Sequence, residues 1–215
     1  MRRILVAWRR LFRLCLPMTL SAALLALLVG LPRLLVDRTL DESERALFGI
    51  AQVIGSGVAT LFNAIWLYEI HRITGRIQER DIFGAARINL ILSLIFFGVL
   101  SAGSVLLFPA QSVVFSLLDI KAEPSLLLPA LVFLLGIQHC IGTHRDLLKL
   151  IGKVWAEVAV LVAAVVGATL TSQVAMILGA SWQVSITVFC VASSLIQIFL
   201  SYIQARRPSV ASMKD

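Results

Sequence analysis

Polar and charged residues fall in bunches along this chain, and the stretches between the bunches are apolar on every side. Six such stretches, 14–36, 48–68, 83–108, 126–143, 154–170 and 180–202, each approach the roughly 20 residues that an α-helix needs to cross a bilayer. Membrane barrel strands would instead alternate polar and apolar positions over about ten residues. The pattern predicts an all-α integral membrane protein with about six transmembrane helices. Residues 1–13 form a cytoplasmic leader, 14–204 the bundle and 205–215 a cytoplasmic tail.

Composition reinforces this reading. Hydrophobic residues make up 59% of the 215 and charged residues 14%, too little polar surface to coat a water-soluble domain. The charges also carry an orientation. Arg33, Arg38, Arg45 and Lys121, four of the 19 basic residues, share one side with most of the loop acids. All the others fall in the leader, the second-to-third and fourth-to-fifth connections and the tail. The positive-inside rule makes that richer side cytoplasmic, with both termini inside and the chain multi-pass in a bacterial inner membrane. Loop parity therefore accounts for the net charge of +7, and no nucleic-acid partner is expected.

The leader resembles a signal peptide only at first sight, because the apolar run behind it is too long for an h-region. At helical spacing Arg2, Arg3, Arg9, Arg10 and Arg13 share one face and Ile4, Leu5, Trp8, Leu11 and Phe12 the other. That fits an interfacial amphipathic helix, and equally a flexible basic leader that only sets orientation. Cys15, Cys140 and Cys190 are widely spaced within apolar blocks and read as buried small side chains. His139 and His144 stand about 140° apart on a helix, so no shared metal is expected. No nucleophile–base pairing, phosphate-binding glycine loop or paired acidic motif is present in the sequence. The chain reads as a non-enzyme without a cofactor.

Side chains inside the spans say more about packing. Ala22, Ala26 and Gly30 recur every fourth residue, as do Ala51, Gly55 and Ala59, and Ala159, Ala163 and Gly167. Small residues in that rhythm let helices approach closely. Gln52, Ser56, Thr60 and Asn63 fall within an arc of about 80° on the second span. Such a stripe supports either interhelical hydrogen bonds or one wall of an aqueous pathway. Glu157 lies inside the fifth block, four residues after Lys153. That spacing predicts a helix-surface pair, with a proton-coupling carboxylate as the alternative.

The segment 32–52 reads PRLLVDRTLDESERALFGIAQ and follows a span that opens with Leu16-Pro17. Pro32-Arg33, the acidic turn Asp41 to Arg45 and the pair Gly49-Ile50 resemble the start of the second half of bacterial polysaccharide flippases. These are the capsule and O-antigen type of the multidrug/oligosaccharidyl-lipid/polysaccharide exporter superfamily. Residues 72–86 resemble the basic cytoplasmic connection that follows in that family. Trp66 to Arg72 departs from the family's Pro-Arg-Leu exit, and the chain has six helices where the family has twelve or more. The resemblance implies one repeat of a MATE-like bundle and transport of a lipid-linked oligosaccharide or polysaccharide precursor. It further implies a second six-helix bundle as partner, in a homodimer or from another chain. Arg33 and Arg38 at the outer mouth and Arg72 and Arg87 at the inner would meet the anionic head, with Gln52, Ser56 and Asn63 lining the path. The competing reading of the same arginines is topology and snorkelling alone. The alternatives are a non-transporting subunit or scaffold of a glycan assembly complex, and a truncated remnant.

Overall fold

The computed structural model describes residues 2–117 and 125–206, with all side chains in these ranges except 2–11, 13, 14, 142 and 143. The facing of the leader's arginines, Lys121, and the tail from 207 onward lie outside the described residues. Six helices follow one another: α1 (Arg2–Val36), α2 (Glu42–Gln78), α3 (Ile82–Leu117), α4 (Leu127–Leu150), α5 (Val154–Ile177) and α6 (Trp182–Arg206). Each contains a stretch long and apolar enough to cross a membrane.

Most helices outrun the apolar blocks, for local reasons. Helix α2 starts at Glu42, not at Phe48, because Asp41 caps it: its Oδ1 accepts the Glu44 N–H at 2.7 Å, and Glu44 Oε2 accepts the Asp41 N–H at 3.1 Å. The cap bonds from Glu44 N–H and the Ser43 hydroxyl favour the charged form and hold the exposed Asp41 carboxyl below its usual pKa. Gly49-Ile50 consequently lies inside the helix and does not begin it. At the other end, α2 runs to Gln78, so the expected connection from Arg72 to Ala86 shrinks to residues 79–81, and Arg72 and Arg87 stand on helices. The turn is a Schellman closure, with Arg80 N–H to Ile77 O at 3.0 Å and Asp81 N–H to Arg76 O at 2.8 Å. Helices α4 and α5 end the same way with Gly152 (φ 77°) and Gly179 (φ 81°) in the left-handed position, where α2 uses Arg80 (φ 60°). Helix α4 continues seven residues beyond the expected end at Thr143, which brings Arg145, Asp146 and Lys149 into it.

Helix α4 is the hub, packing on α2, α3, α5 and α6, while α1 lies on α5 and α6. One apolar cluster joins Leu28 of α1, Phe48 and Ala51 of α2, Leu131 of α4, Leu161 of α5 and Phe189 of α6. A second joins Phe62, Phe96 and Leu147, with Phe62 and Phe96 stacked 4.2 Å apart. The small-residue stripes divide. Ala51, Gly55 and Ala59 are buried, and a methyl on Gly55 would stand 3.8 Å from Leu135 Cβ, so this stripe brings α2 onto α4. Gly167 faces Ile196 of α6, while Ala159 is exposed. Ala22 and Ala26 face outward, and no side chain approaches Gly30. Gly136, outside all three stripes, makes the tightest helix approach: a Cβ there would stand 2.6 Å from Leu100 Cδ1.

The helix ends are tied by polar contacts. Trp182 Nε1 donates to Glu44 Oε1 at 3.1 Å, and Gln111 exchanges two bonds with the Ser125 backbone. Lys153 Nζ donates to the Gln204 carbonyl at 2.7 Å, which sets the α4–α5 turn beside the end of α6. Partial burial there lowers the Lys153 pKa from its ordinary value.

Candidate functional site

Because α4 is enclosed by four helices, its polar residues are forced into the interior. Gln138 and Arg145 are buried, and His139, His144 and Asp146 are half-buried. Of the charged side chains of α4, Arg145 and Lys149 reach the first turn of α5, from which Glu157 projects inward with 0% exposure. Glu157 Oε1 accepts the Ser21 hydroxyl of α1 at 2.7 Å and lies 3.0 Å from Lys149 Nζ and 3.1 Å from Arg145 Nε. The expected surface pair with Lys153 is thus replaced by a buried cluster: Glu157 turns to α4 and α1, while Lys153 reaches the end of α6. Lys149 also binds Asp146 Oδ1 at 3.1 Å, and Arg145 NH2 lies 3.7 Å from the same oxygen. Two cations face two carboxylates, and helix geometry supports both signs. The carboxylate of Glu157 sits at the positive end of α5 and the cations at the negative end of α4.

The pairing is incomplete. Arg145 Nε is close to Glu157 Oε1 but off the hydrogen-bonding direction, and Glu157 Oε2 has no partner. The one hydrogen bond of the guanidinium runs from NH1 to Gln197 Oε1 at 3.4 Å. Gln138 donates to Ser193 Oγ at 3.4 Å, extending the network into α6. Beside the cluster lies a cavity of about 90 Å³, lined by Leu25 of α1, Phe62 and Asn63 of α2, Phe96 of α3, and Gln138, His139, Arg145 and Asp146 of α4. A water needs roughly 10–15 Å³ of such volume and two to four polar partners, so this cavity is of the kind that holds water. Asn89 Nδ2 stands 3.5 Å from His144 Nδ1 at the edge of the network. Among the described residues no group of three or more His, Cys, Asp or Glu is arranged to hold a metal. Cys140 and Cys190 are buried, whereas Cys15, expected to be buried, is exposed.

The seven residues singled out from sequence do not form one site. Arg33 and Arg38 are exposed at one end of the bundle, and Arg72 is exposed near the other, paired with Glu69 at 3.2 Å. Arg87 borders an open depression of about 430 Å³ between α2 and α3, shared with Arg76, Asp81, Gly84, Ile88 and Ile91. Gln52 is half-buried, and Ser56 and Thr60 are exposed with their hydroxyls bonded to carbonyls one turn back on α2, so these two make no bridge to another helix. Asn63, itself exposed, is the one residue of this stripe that borders the cavity of about 90 Å³.

The residues that do converge, Arg145, Lys149, Asp146 and Glu157, were hidden by their position at block edges, where charge reads as loop. Their signal was Leu147-Leu148, which continues the apolar register past Arg145. A second signal lay in α6, where Ser185, Cys190, Ser193, Ser194, Gln197 and Ser201 hold one buried face at helical spacing. No family model, no curated protein and no solved structure matches the chain.

Proposed function

We propose that this chain is a half-transporter subunit that forms one wall of a pathway for a lipid-linked oligosaccharide or polysaccharide precursor in the inner membrane, with both termini cytoplasmic. The observation that carries this reading is the cavity lined by α1, α2, α3 and α4, with charged α4 residues on its wall, inside a bundle of membrane-spanning helices. Intramembrane ionisable residues are costly and are kept where they meet a substrate, an ion or a water-filled path. Repeated transporter bundles place that path between repeats, so one bundle supplies one wall. The outward faces of α1 and α2 suit a second bundle. Ala22 and Ala26 are small and exposed, and on α2 Ser56 and Asn63 are exposed with Gln52 half-buried beside them. The resemblance of residues 32–52 to polysaccharide flippases supports the substrate class, and the basic bias supports the orientation.

The test is pairing followed by transport. Cysteines at Ala26 and Ser56 are expected to cross-link a homodimer or one specific partner in native membranes. The pair, reconstituted in liposomes, is then expected to move a fluorescent lipid-linked oligosaccharide between leaflets. A captured pair that translocates nothing would favour the scaffold reading.

A further inference from the structure

Arg145 is 5% exposed, yet among the described residues its five N–H donors find a single hydrogen-bond acceptor, Gln197 Oε1 at 3.4 Å. Its other polar neighbours, Glu157 Oε1 at 3.1 Å and Asp146 Oδ1 at 3.7 Å, attract it without accepting a directed bond. A guanidinium held this way has its charge compensated by Glu157, but its Nε–H is left without a directed acceptor. It is also the buried cation on the cavity wall, beside three further hydrogen-bonding side chains, Asn63, Gln138 and His139. A planar fork of donors matches the paired oxygens of a phosphate group.

We propose that Arg145 is the oxyanion-binding residue of this cavity, taking a diphosphate-type group, and that Glu157 is the internal counter-anion the ligand displaces. The proposal deepens the transport reading by naming the residue that meets the anionic part of the substrate. The cluster is built for such an exchange. When Arg145 turns to a ligand, Glu157 keeps the Ser21 hydroxyl at 2.7 Å and Lys149 Nζ at 3.0 Å, so it is not left as an unpaired buried charge. Asp146 also lines the cavity and would repel an anion; Lys149 Nζ, 3.1 Å from Asp146 and 3.0 Å from Glu157, is shared by the two carboxylates and offsets that repulsion in part. The four formal charges of the cluster sum to zero. Removing Glu157 unmasks Arg145. The displaced carboxylate separates this site from a static structural pair, because the two predict opposite signs for one substitution.

The full chain, purified in a neutral detergent, is titrated calorimetrically with inorganic diphosphate, farnesyl diphosphate and farnesol. The wild type is expected to bind the two diphosphates and not farnesol. Glu157→Gln is expected to bind them on the order of tenfold more tightly, because one charged competitor for Arg145 is gone. Glu157→Asp, which withdraws the carboxylate by one methylene, moves affinity in the same direction if Glu157→Gln folds poorly. Arg145→Gln combined with Glu157→Gln, a charge-balanced variant, is expected to lose at least tenfold relative to wild type. A double variant that binds like wild type overturns the proposal, as does weaker or unchanged binding in both Glu157 variants. Arg145-dependent binding of inorganic diphosphate without farnesyl diphosphate supports the anion site and counts against a lipid-linked substrate. Absence of Arg145-dependent binding of either refutes the anion site, leaving the transport reading to the translocation assay.

Discussion

Neutralising one member of the buried cluster should cost more than neutralising two. At 3.0–3.1 Å from Glu157 Oε1, Lys149 and Arg145 each have a gross attraction of about 5 kcal/mol at an effective dielectric near 20. Desolvation opposes most of it, so the net value of the cluster is small, while an unmatched charge left behind is expensive, about 3–5 kcal/mol. Glu157→Gln leaves two cations facing Asp146 alone and is expected to destabilise by about 3–4 kcal/mol. Arg145→Gln leaves Glu157 with Lys149 and Ser21 and is expected to cost about 2–3 kcal/mol, below the range for a fully orphaned partner. The double variant retains the Lys149–Asp146 pair at 3.1 Å, and its loss should fall below that of Glu157→Gln alone. The assay is reversible unfolding of the purified protein by SDS from mixed micelles, followed by helical circular dichroism and tryptophan fluorescence. Additivity of the two single losses within about 0.5 kcal/mol would refute the reasoning, since uncoupled sites add and paired charges do not.

Two further outcomes follow from local geometry and from charge. Arg80→Gly should stabilise by about 0.5–1 kcal/mol in the same unfolding assay, because glycine relieves the left-handed strain that Gly152 and Gly179 avoid, less the added freedom of the unfolded chain. In intact cells and a cysteine-free background, a cysteine at Ser43 should react with impermeant thiol reagent and one at Gln78 should not; the reverse pattern would invert the proposed orientation.

Helix number was legible because six apolar blocks of bilayer length leave little freedom in a 215-residue chain. Helix ends were less so, and for different reasons. The start of α2 was written in Asp41 and Glu44, three residues apart in capping-box spacing, but the apolar block behind them drew the boundary to Phe48. The end of α4 was obscured because His144, Arg145, Asp146 and Lys149 together look like a connection, although they complete two further turns around the apolar pair Leu147-Leu148. Facing was the least legible property. When every side of a helix is apolar, the buried side carries no distinctive hydrophobic stripe, so Ala51-Gly55-Ala59 and Ala22-Ala26-Gly30 look alike in sequence. The first packs on α4, while two of the three residues in the second face outward. Polar stripes mislead in the same way: Ser56 and Thr60 satisfy themselves on their own helix, whereas the interior polarity comes from α4 and from the serine-rich face of α6.

The polar contacts also divide the bundle mechanically. Glu157, Arg145, Lys149, Ser21 and Gln197 join α1, α4, α5 and α6 through hydrogen bonds and close charge pairs. The α2–α3 hairpin meets α4 chiefly through apolar surfaces, Gly55 on Leu135 and Leu100 against Gly136, with Asn89 3.5 Å from His144, and hydrogen bonds from Trp182 to Glu44 and between Gln111 and the Ser125 backbone tie its outer ends. In a bilayer, apolar helix contact exchanges for lipid contact at little cost, whereas separating a charge pair does not. The cavity lies along this boundary, with Phe62, Asn63 and Phe96 on the hairpin side and Gln138, His139, Arg145 and Asp146 on the other. Displacement of the hairpin would therefore widen the cavity while leaving the ion cluster whole. Displacement of α5 or α6 would have to break that cluster first. Opening the cavity on the hairpin side would thus separate no buried charge pair, whereas opening it on the α5 side would separate Glu157 from Arg145 and Lys149.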